Sequence, residues 1–118
     1  MSELLASAVR CMQAGQLDEA ERLCRSILAT SPKDVPSLHL LGFIAFRSGR
    51  PHDAIDLIGQ AIALDKRNPD CHYNIGLALL AASRFREAVR HFERAAALAP
   101  RYADGIAKLV NLSFVQGN

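Results

Sequence analysis

The sequence predicts an all-α protein, a right-handed α-solenoid of three helix–turn–helix units followed by one further helix. Half of the 118 residues are hydrophobic, yet only 6% are aromatic and Trp is absent, a composition that favours packed helices over a β-sandwich. Matching residues also recur every 34 positions, as shown by Ala20, Ala54 and Ala88 and by the turn residues Gly15, Gly49 and Ser83. Several independent positions that share one period indicate a repeat architecture.

The repeat divides the chain into units, each with two predicted helices. Residues 1–118 form one domain with units 1–34, 35–68 and 69–102 and a terminal helix over 103–118. Asp34 and Asn68 are good N-cap residues, and each precedes a proline that the first helical turn tolerates. Apolar spacing predicts helices over about 2–14, 18–30, 35–48, 52–64, 69–82, 85–98 and 103–116.

Small residues at fixed repeat positions predict where the two helices of a unit meet. Gly42 and Gly76, together with Ala54 and Ala88, would allow a close approach of the helix axes. Larger apolar side chains beside them, Ile58 and Phe92 among them, would fill the remaining space. Because no pair can bury its apolar face alone, the pairs must stack on one another.

A 34-residue repeat with these small residues resembles the tetratricopeptide repeat. The stretch His72-Tyr73-Asn74-Ile75-Gly76 is nearest to the family pattern. The first unit departs from it, with Ser7-Ala8 where Leu-Gly is usual and Cys24 where an aromatic residue is usual. The resemblance implies that the first helix of each unit lines a concave groove, which in this family commonly binds extended or helical peptides.

The groove positions follow from the resemblance, position by position, and Asp70 occupies one of them in the third unit. The predicted peptide-groove residues are Leu5, Val9, Met12, His39, Leu40, Phe43, Phe46, Arg47, Tyr73, Asn74, Leu77, Lys108 and Asn111. This wall is mostly apolar, which predicts a protein or peptide partner. Self-association and packing inside the superhelix are the alternatives. The family's carboxylate clamp uses Lys, Arg and Asn on successive helices, and only Asn74 matches it.

The residues indicate no catalytic, cofactor or metal site. None of the four histidines lies three or four residues from another His or Cys, the spacing by which one helix holds a metal. The three cysteines, Cys11, Cys24 and Cys71, lack a CxxC pair and predict reduced core thiols in a cytoplasmic protein. A net charge of +2 gives no strong case for a nucleic-acid or membrane partner, and no apolar run approaches the roughly 18 residues of a membrane span.

The predicted function is therefore a protein–protein interaction scaffold, not an enzyme, that binds a partner peptide or helix in its concave groove. An alternative follows from the last helix, which ends without a polar cap and so indicates a piece of a longer protein. Arrays of this kind resemble the N-terminal arms of glycosyltransferases, methyltransferases and sulfotransferases. In such a parent, this segment would be a substrate-docking arm.

Overall fold

The structure is a computed structural model that describes residues 2–115. Its helices are α1 (Glu3–Gln13), α2 (Leu17–Thr30), α3 (Val35–Arg47), α4 (Pro51–Leu64), α5 (Pro69–Ala81), α6 (Phe85–Leu98) and α7 (Ala103–Val115). A 3₁₀ turn, Pro100–Tyr102, joins α6 to α7 and is not part of the sequence prediction. The predicted ends of the first six helices agree with the structure to within one residue, and residues 116–118 of the predicted last helix lie outside the described residues.

The helices pack as three successive pairs, α1 with α2, α3 with α4 and α5 with α6. Each pair also contacts the next, because α2 packs on α3 and α4 packs on α5, and the body they form measures 42 × 26 × 21 Å. This helical solenoid confirms the predicted fold class. Within residues 2–115, every helix is too short or too polar to cross a bilayer.

Helix starts are fixed by side chains that satisfy the unpaired backbone N–H groups of the first turn. The Asp34 carboxylate accepts from the backbone N–H of Ser37 at 3.1 Å and also from its buried hydroxyl. At the next repeat position, Oδ1 of Asn68 accepts from the N–H groups of Asp70 and Cys71, at 3.0 and 3.2 Å. Both α3 and α5 therefore begin where the capping residues predict.

The turns within the pairs use the left-handed backbone conformation. Gly15 and Gly49 have φ values of +80° and +78°, and Ser83, one period later, has +61°. The side chain of Ser83 makes this conformation unfavourable, whereas glycine adopts it without steric cost. The third turn thus keeps the geometry of the first two with a less suitable residue.

The two helices of a pair approach most closely at a glycine. A Cβ added at Gly42 would lie 2.5 Å from Cγ1 of Ile58, and one added at Gly76 would lie 2.5 Å from Cε1 of Phe92. Ile58 and Phe92 are completely buried. In the first pair the same two positions hold Ala8 and Cys24, both completely buried in one cluster. Where α1 carries the methyl group of Ala8 in place of a glycine, α2 thus carries Cys24, which is smaller than Ile58 or Phe92.

Stacking between pairs combines apolar burial with one ion pair. One core cluster joins the first pair to α3, and a second runs from α3 to Ile106 of α7. At the boundary of the first two pairs, Nη2 of Arg50 donates to the Glu21 carboxylate at 2.7 Å. That hydrogen bond lowers the pKa of the Glu21 carboxyl. The Cys24 and Cys71 thiols are buried, which raises their pKa to about 11 and about 12 and keeps them unreactive.

Substitution of Gly76 tests the close approach. Gly76→Ala should lower the free energy of unfolding by about 1–3 kcal/mol, because its methyl group would overlap the buried ring of Phe92. Gly59→Ala is the matched control, since nothing lies within 4 Å of its added Cβ, and alanine favours the helix by up to about 1 kcal/mol. Urea denaturation followed by circular dichroism measures both changes. Equal stabilities of the two variants would contradict the steric account.

Substitution of the turn residues tests backbone strain. Ser83→Gly should raise the free energy of unfolding by up to about 1 kcal/mol, because glycine relieves the left-handed strain. Gly49→Ser should lower it by a similar amount, since its surroundings are open and only the backbone conformation opposes the side chain. Thermal denaturation of the two variants is the measurement. A shift of the same sign in both would refute this explanation.

Candidate functional site

A concave cavity of about 610 Å³ lies across the first helices of the three pairs. We call it the groove and define it by its lining residues: Leu5, Val9, Met12, Pro36, His39, Leu40, Phe43, Asn68, Asp70, Asn74 and Tyr102. Helix α1 and the middle of α3 supply its apolar part. The polar part comes from α5, from Asn68 before it and from the 3₁₀ turn.

The structure separates the predicted groove residues into three sets. Those that line the groove are Leu5, Val9, Met12, His39, Leu40, Phe43 and Asn74. Phe46, Tyr73 and Leu77 are half-buried and pack against the core of the second and third pairs. Arg47, Lys108 and Asn111 are exposed and do not line the groove. Participation of any of these side chains in binding stays a prediction.

Three lining residues are absent from the sequence prediction. Pro36 and Asn68 are recognisable as helix-start residues, and their sequence context gives no sign that these helix starts also face the groove. Tyr102 lies in the unpredicted 3₁₀ turn. Its ring stacks on Tyr73 with 4.8 Å between centroids, which brings the turn back towards α5. The one sequence signal for a role of Tyr102 in the groove is its residue type, a large amphipathic side chain.

A hydrogen bond between α3 and α5 crosses the polar part of the groove. Nδ2 of Asn74 donates to Nε2 of His39 at 2.7 Å. Burial lowers the pKa of the His39 imidazole, although the Asp70 carboxylate acts in the opposite direction. His39 is therefore neutral at pH 7, with Nε2 unprotonated and able to accept. The His39–Asn74 pair is therefore polar without being charged.

Asp70 supplies the one ionised side chain among the groove residues. Its Oδ1 accepts from the Tyr102 hydroxyl and from Nη2 of Arg101, the latter at 3.3 Å. The Arg101 guanidinium lies over the Tyr102 ring, 4.9 Å from its centroid. Burial, followed by the hydrogen bond to Asp70, raises the pKa of the Tyr102 phenol and keeps it a donor. Together these contacts fix the rim of the groove at the third pair.

The apolar part of the groove is held by contacts between α1 and α3. Nη1 of Arg47 approaches Sδ of Met12 at 3.4 Å, so the exposed end of α3 reaches over to α1. The Phe43 and Phe46 rings are 6.2 Å apart, with Phe43 in the groove and Phe46 on the core. Leu5 is only 7% exposed and forms part of the floor.

A histidine pair lies outside the groove, between α5 and α6. Nδ1 of His72 and Nδ1 of His91 are 3.0 Å apart, and Nε2 of His72 donates to the Lys66 carbonyl at 2.9 Å. Since His72 carries its proton on Nε2, its Nδ1 accepts from the N–H of His91. Within the described part of the chain, no three His, Cys, Asp or Glu side chains are placed to hold a metal ion.

Comparison with known proteins gives matches along most of the chain. Residues 13–95 match the family model described as anaphase-promoting complex, cyclosome, subunit 3. The tetratricopeptide repeat-containing protein trd-1 of Caenorhabditis elegans is 36% identical over 90 residues, which are 75% of this chain and 11% of that protein.

Solved structures share the fold. An O-GlcNAc transferase mutant of Thermobaculum terrenum superimposes with a TM-score of 0.87 at 28% identity, over 93% of this chain and 21% of that one. The first TPR domain of Spaghetti (RPAP3), solved with the HSP90 peptide SRMEEVD, has a TM-score of 0.85 at 19% identity, over 95% of this chain and 90% of that one. This chain thus spans a small part of trd-1 and of the transferase.

Acidification should destabilise the fold. The pKa of His39 is lowered by burial, and that of His91 by burial and by His72 beside it, from an ordinary value of 6.5. Below that value the unfolded chain binds more protons than the folded chain, so the free energy of unfolding should fall between about pH 7.5 and about pH 5. Above the unfolded-state value, this contribution to stability is fully present. Urea denaturation at the two pH values measures the loss.

The contribution of His39 to this loss of stability on acidification can be isolated by substitution. His39→Gln should lose less stability on acidification than the wild type, because glutamine does not titrate. His52→Gln, an exposed position on α4, is the matched control and should lose as much as the wild type. If His39→Gln and the wild type lose equal stability, the assignment to His39 is wrong.

Proposed function

This chain belongs to the tetratricopeptide repeat proteins, in the family described as anaphase-promoting complex, cyclosome, subunit 3, and we propose that it binds a peptide segment of a partner protein in the groove. The protein acts by holding this segment, without chemistry of its own, because its family is generally non-catalytic. A cytoplasmic location stays a prediction.

One observation supports the proposal above the others, the gathering of apolar side chains around an open cavity. Val9, Leu40 and Phe43 come from two helices that the core holds in place, so they face the cavity before a partner arrives. Burial of one leucine or phenylalanine anchor stabilises a complex by roughly 1.5–3 kcal/mol. A preformed apolar surface binds with little further ordering, which favours affinity.

The polar part of the groove supplies orientation. Oδ1 of Asn74 remains an acceptor, because this side chain uses Nδ2 for the bond to His39. A few fixed polar groups beside an apolar surface are typical of sites that select one pose of a ligand. The Spaghetti domain, which has the same fold, was solved with a peptide bound, so this architecture is able to hold peptides.

A second candidate is a substrate-docking arm of a larger transferase. It is favoured by the O-GlcNAc transferase match, in which this chain corresponds to 21% of a longer protein. The groove would then present protein substrates to a catalytic domain elsewhere in the parent. An antibody against this chain distinguishes the candidates in source cells. A band near 12.9 kDa supports a separate module, and a much larger band supports a docking arm.

Substitution of Phe43 tests peptide binding. Short random peptides displayed on phage and selected on the wild type should bind Phe43→Ser at least about tenfold more weakly, because an apolar anchor is lost. Phe43 is the suitable site because Phe46, its neighbour, packs on the core. Binding is measured by calorimetry with the selected synthetic peptides.

The matched control for this test is Leu64→Ser. Leu64 is the end residue of α4 and is 45% exposed, so this variant removes an apolar side chain outside the groove. It should bind the selected peptides like the wild type, and circular dichroism should show both variants folded. If no peptide is selected, or if Phe43→Ser retains full affinity, the groove is not the binding site.

A further inference from the structure

We infer that the groove selects a peptide segment that combines apolar residues with one Lys or Arg side chain, whose cation binds Asp70. This inference rests on the proposed function and adds the charge of the partner. It starts from the ionised groups around the groove. No Lys or Arg side chain is among the groove residues, all of which lie in the described part of the chain. His39 is neutral, so the charge of the groove wall is that of Asp70.

The contacts of Asp70 leave half of its carboxylate open. Both recorded hydrogen bonds, from Tyr102 and Arg101, end on Oδ1. Among the described residues, none donates to Oδ2, and the Asp70 side chain is 48% exposed. A carboxylate accepts several hydrogen bonds, so an ammonium or guanidinium group of a partner can bind Oδ2 while the internal contacts persist.

Arg101 does not complete this site from within the chain. Its guanidinium lies over the face of Tyr102 and is 65% exposed, outside the set of groove residues. An ion pair with so exposed a partner is weak and is screened by water. A cation that enters with an apolar segment is shielded from water by that segment, which strengthens its attraction to Asp70. Tyr102 holds the carboxylate in place for it.

The same charges oppose an acidic partner. A peptide carboxylate in the groove would lose water without meeting a cation from the groove wall, and it would be repelled by Asp70. His39 offers no charge in compensation, because burial favours its neutral form. The apolar wall from Leu5 to Phe43 then supplies affinity, whereas Asp70 selects the sign of the charge beside the apolar residues.

The experiment uses the phage-displayed short random peptides, selected on the wild type and counted only when Phe43→Ser fails to bind them. Among these groove-dependent peptides, Lys and Arg should be enriched over Asp and Glu beside the apolar residues. Replacement of the cation by glutamine in a selected peptide should weaken binding to the wild type by about fivefold or more, because the shielded ion pair exceeds the range of an exposed one.

Asp70→Asn is the decisive variant. Asparagine keeps an oxygen for the Tyr102 hydroxyl and removes the charge, so the cation-containing peptide and its glutamine analogue should bind this variant equally. Asp18→Asn removes the same charge from an exposed position on α2 and should keep the wild-type preference. Circular dichroism checks that both variants are folded.

Each other outcome overturns a defined part of the argument. Groove-dependent peptides without a preference for Lys or Arg, or with a preference that persists in Asp70→Asn, would overturn the inference and leave the proposed function intact. Absence of groove-dependent peptides would overturn both. A wild-type dimer in sedimentation that becomes a monomer in Phe43→Ser would assign the groove to a second copy of the chain and overturn the peptide partner.

Discussion

The close contact between the two helices of a pair, which is made at a glycine in the second and third pairs, is the constraint on which this structure depends. At Gly42 and Gly76 the backbone of the first helix receives the side chain of Ile58 or Phe92 directly. The depth of this contact sets the distance between paired helices. The pairs then stack through separate contacts, of α2 on α3 and of α4 on α5.

The sequence is sufficient to predict this architecture because the same helix and turn signals occur in successive repeat units. A period shared by glycines, alanines and turn residues predicts the pairs, and Asp34 and Asn68 predict where helices begin. The 3₁₀ turn has no such signal, since it occurs once and joins the last pair to α7. The sequence pattern consequently does not predict that Tyr102 lines the groove.

Prediction of the groove is less complete for a physical reason. Repeat position tells which helix face is concave, but part of that face packs against the core. Phe46, Tyr73 and Leu77 lie on this shared part, against the core. The His72–His91 pair shows a related limit, because the two rings meet across helices and their separation along the chain indicates no contact. Helical spacing describes neighbours on one helix, whereas both features depend on how helices pack.

The position of Gly42 next to Phe43 has a consequence for how such a protein can change. Gly42 faces the partner helix, and Phe43 faces the concavity. Adjacent residues on a helix point in different directions. The residue that packs the pair and the residue that lines the groove are therefore separate positions, although they are neighbours in the sequence. Under the proposed function, evolution or protein engineers can therefore alter the peptide preference at the groove positions, while the glycine contact that shapes the scaffold remains as it is.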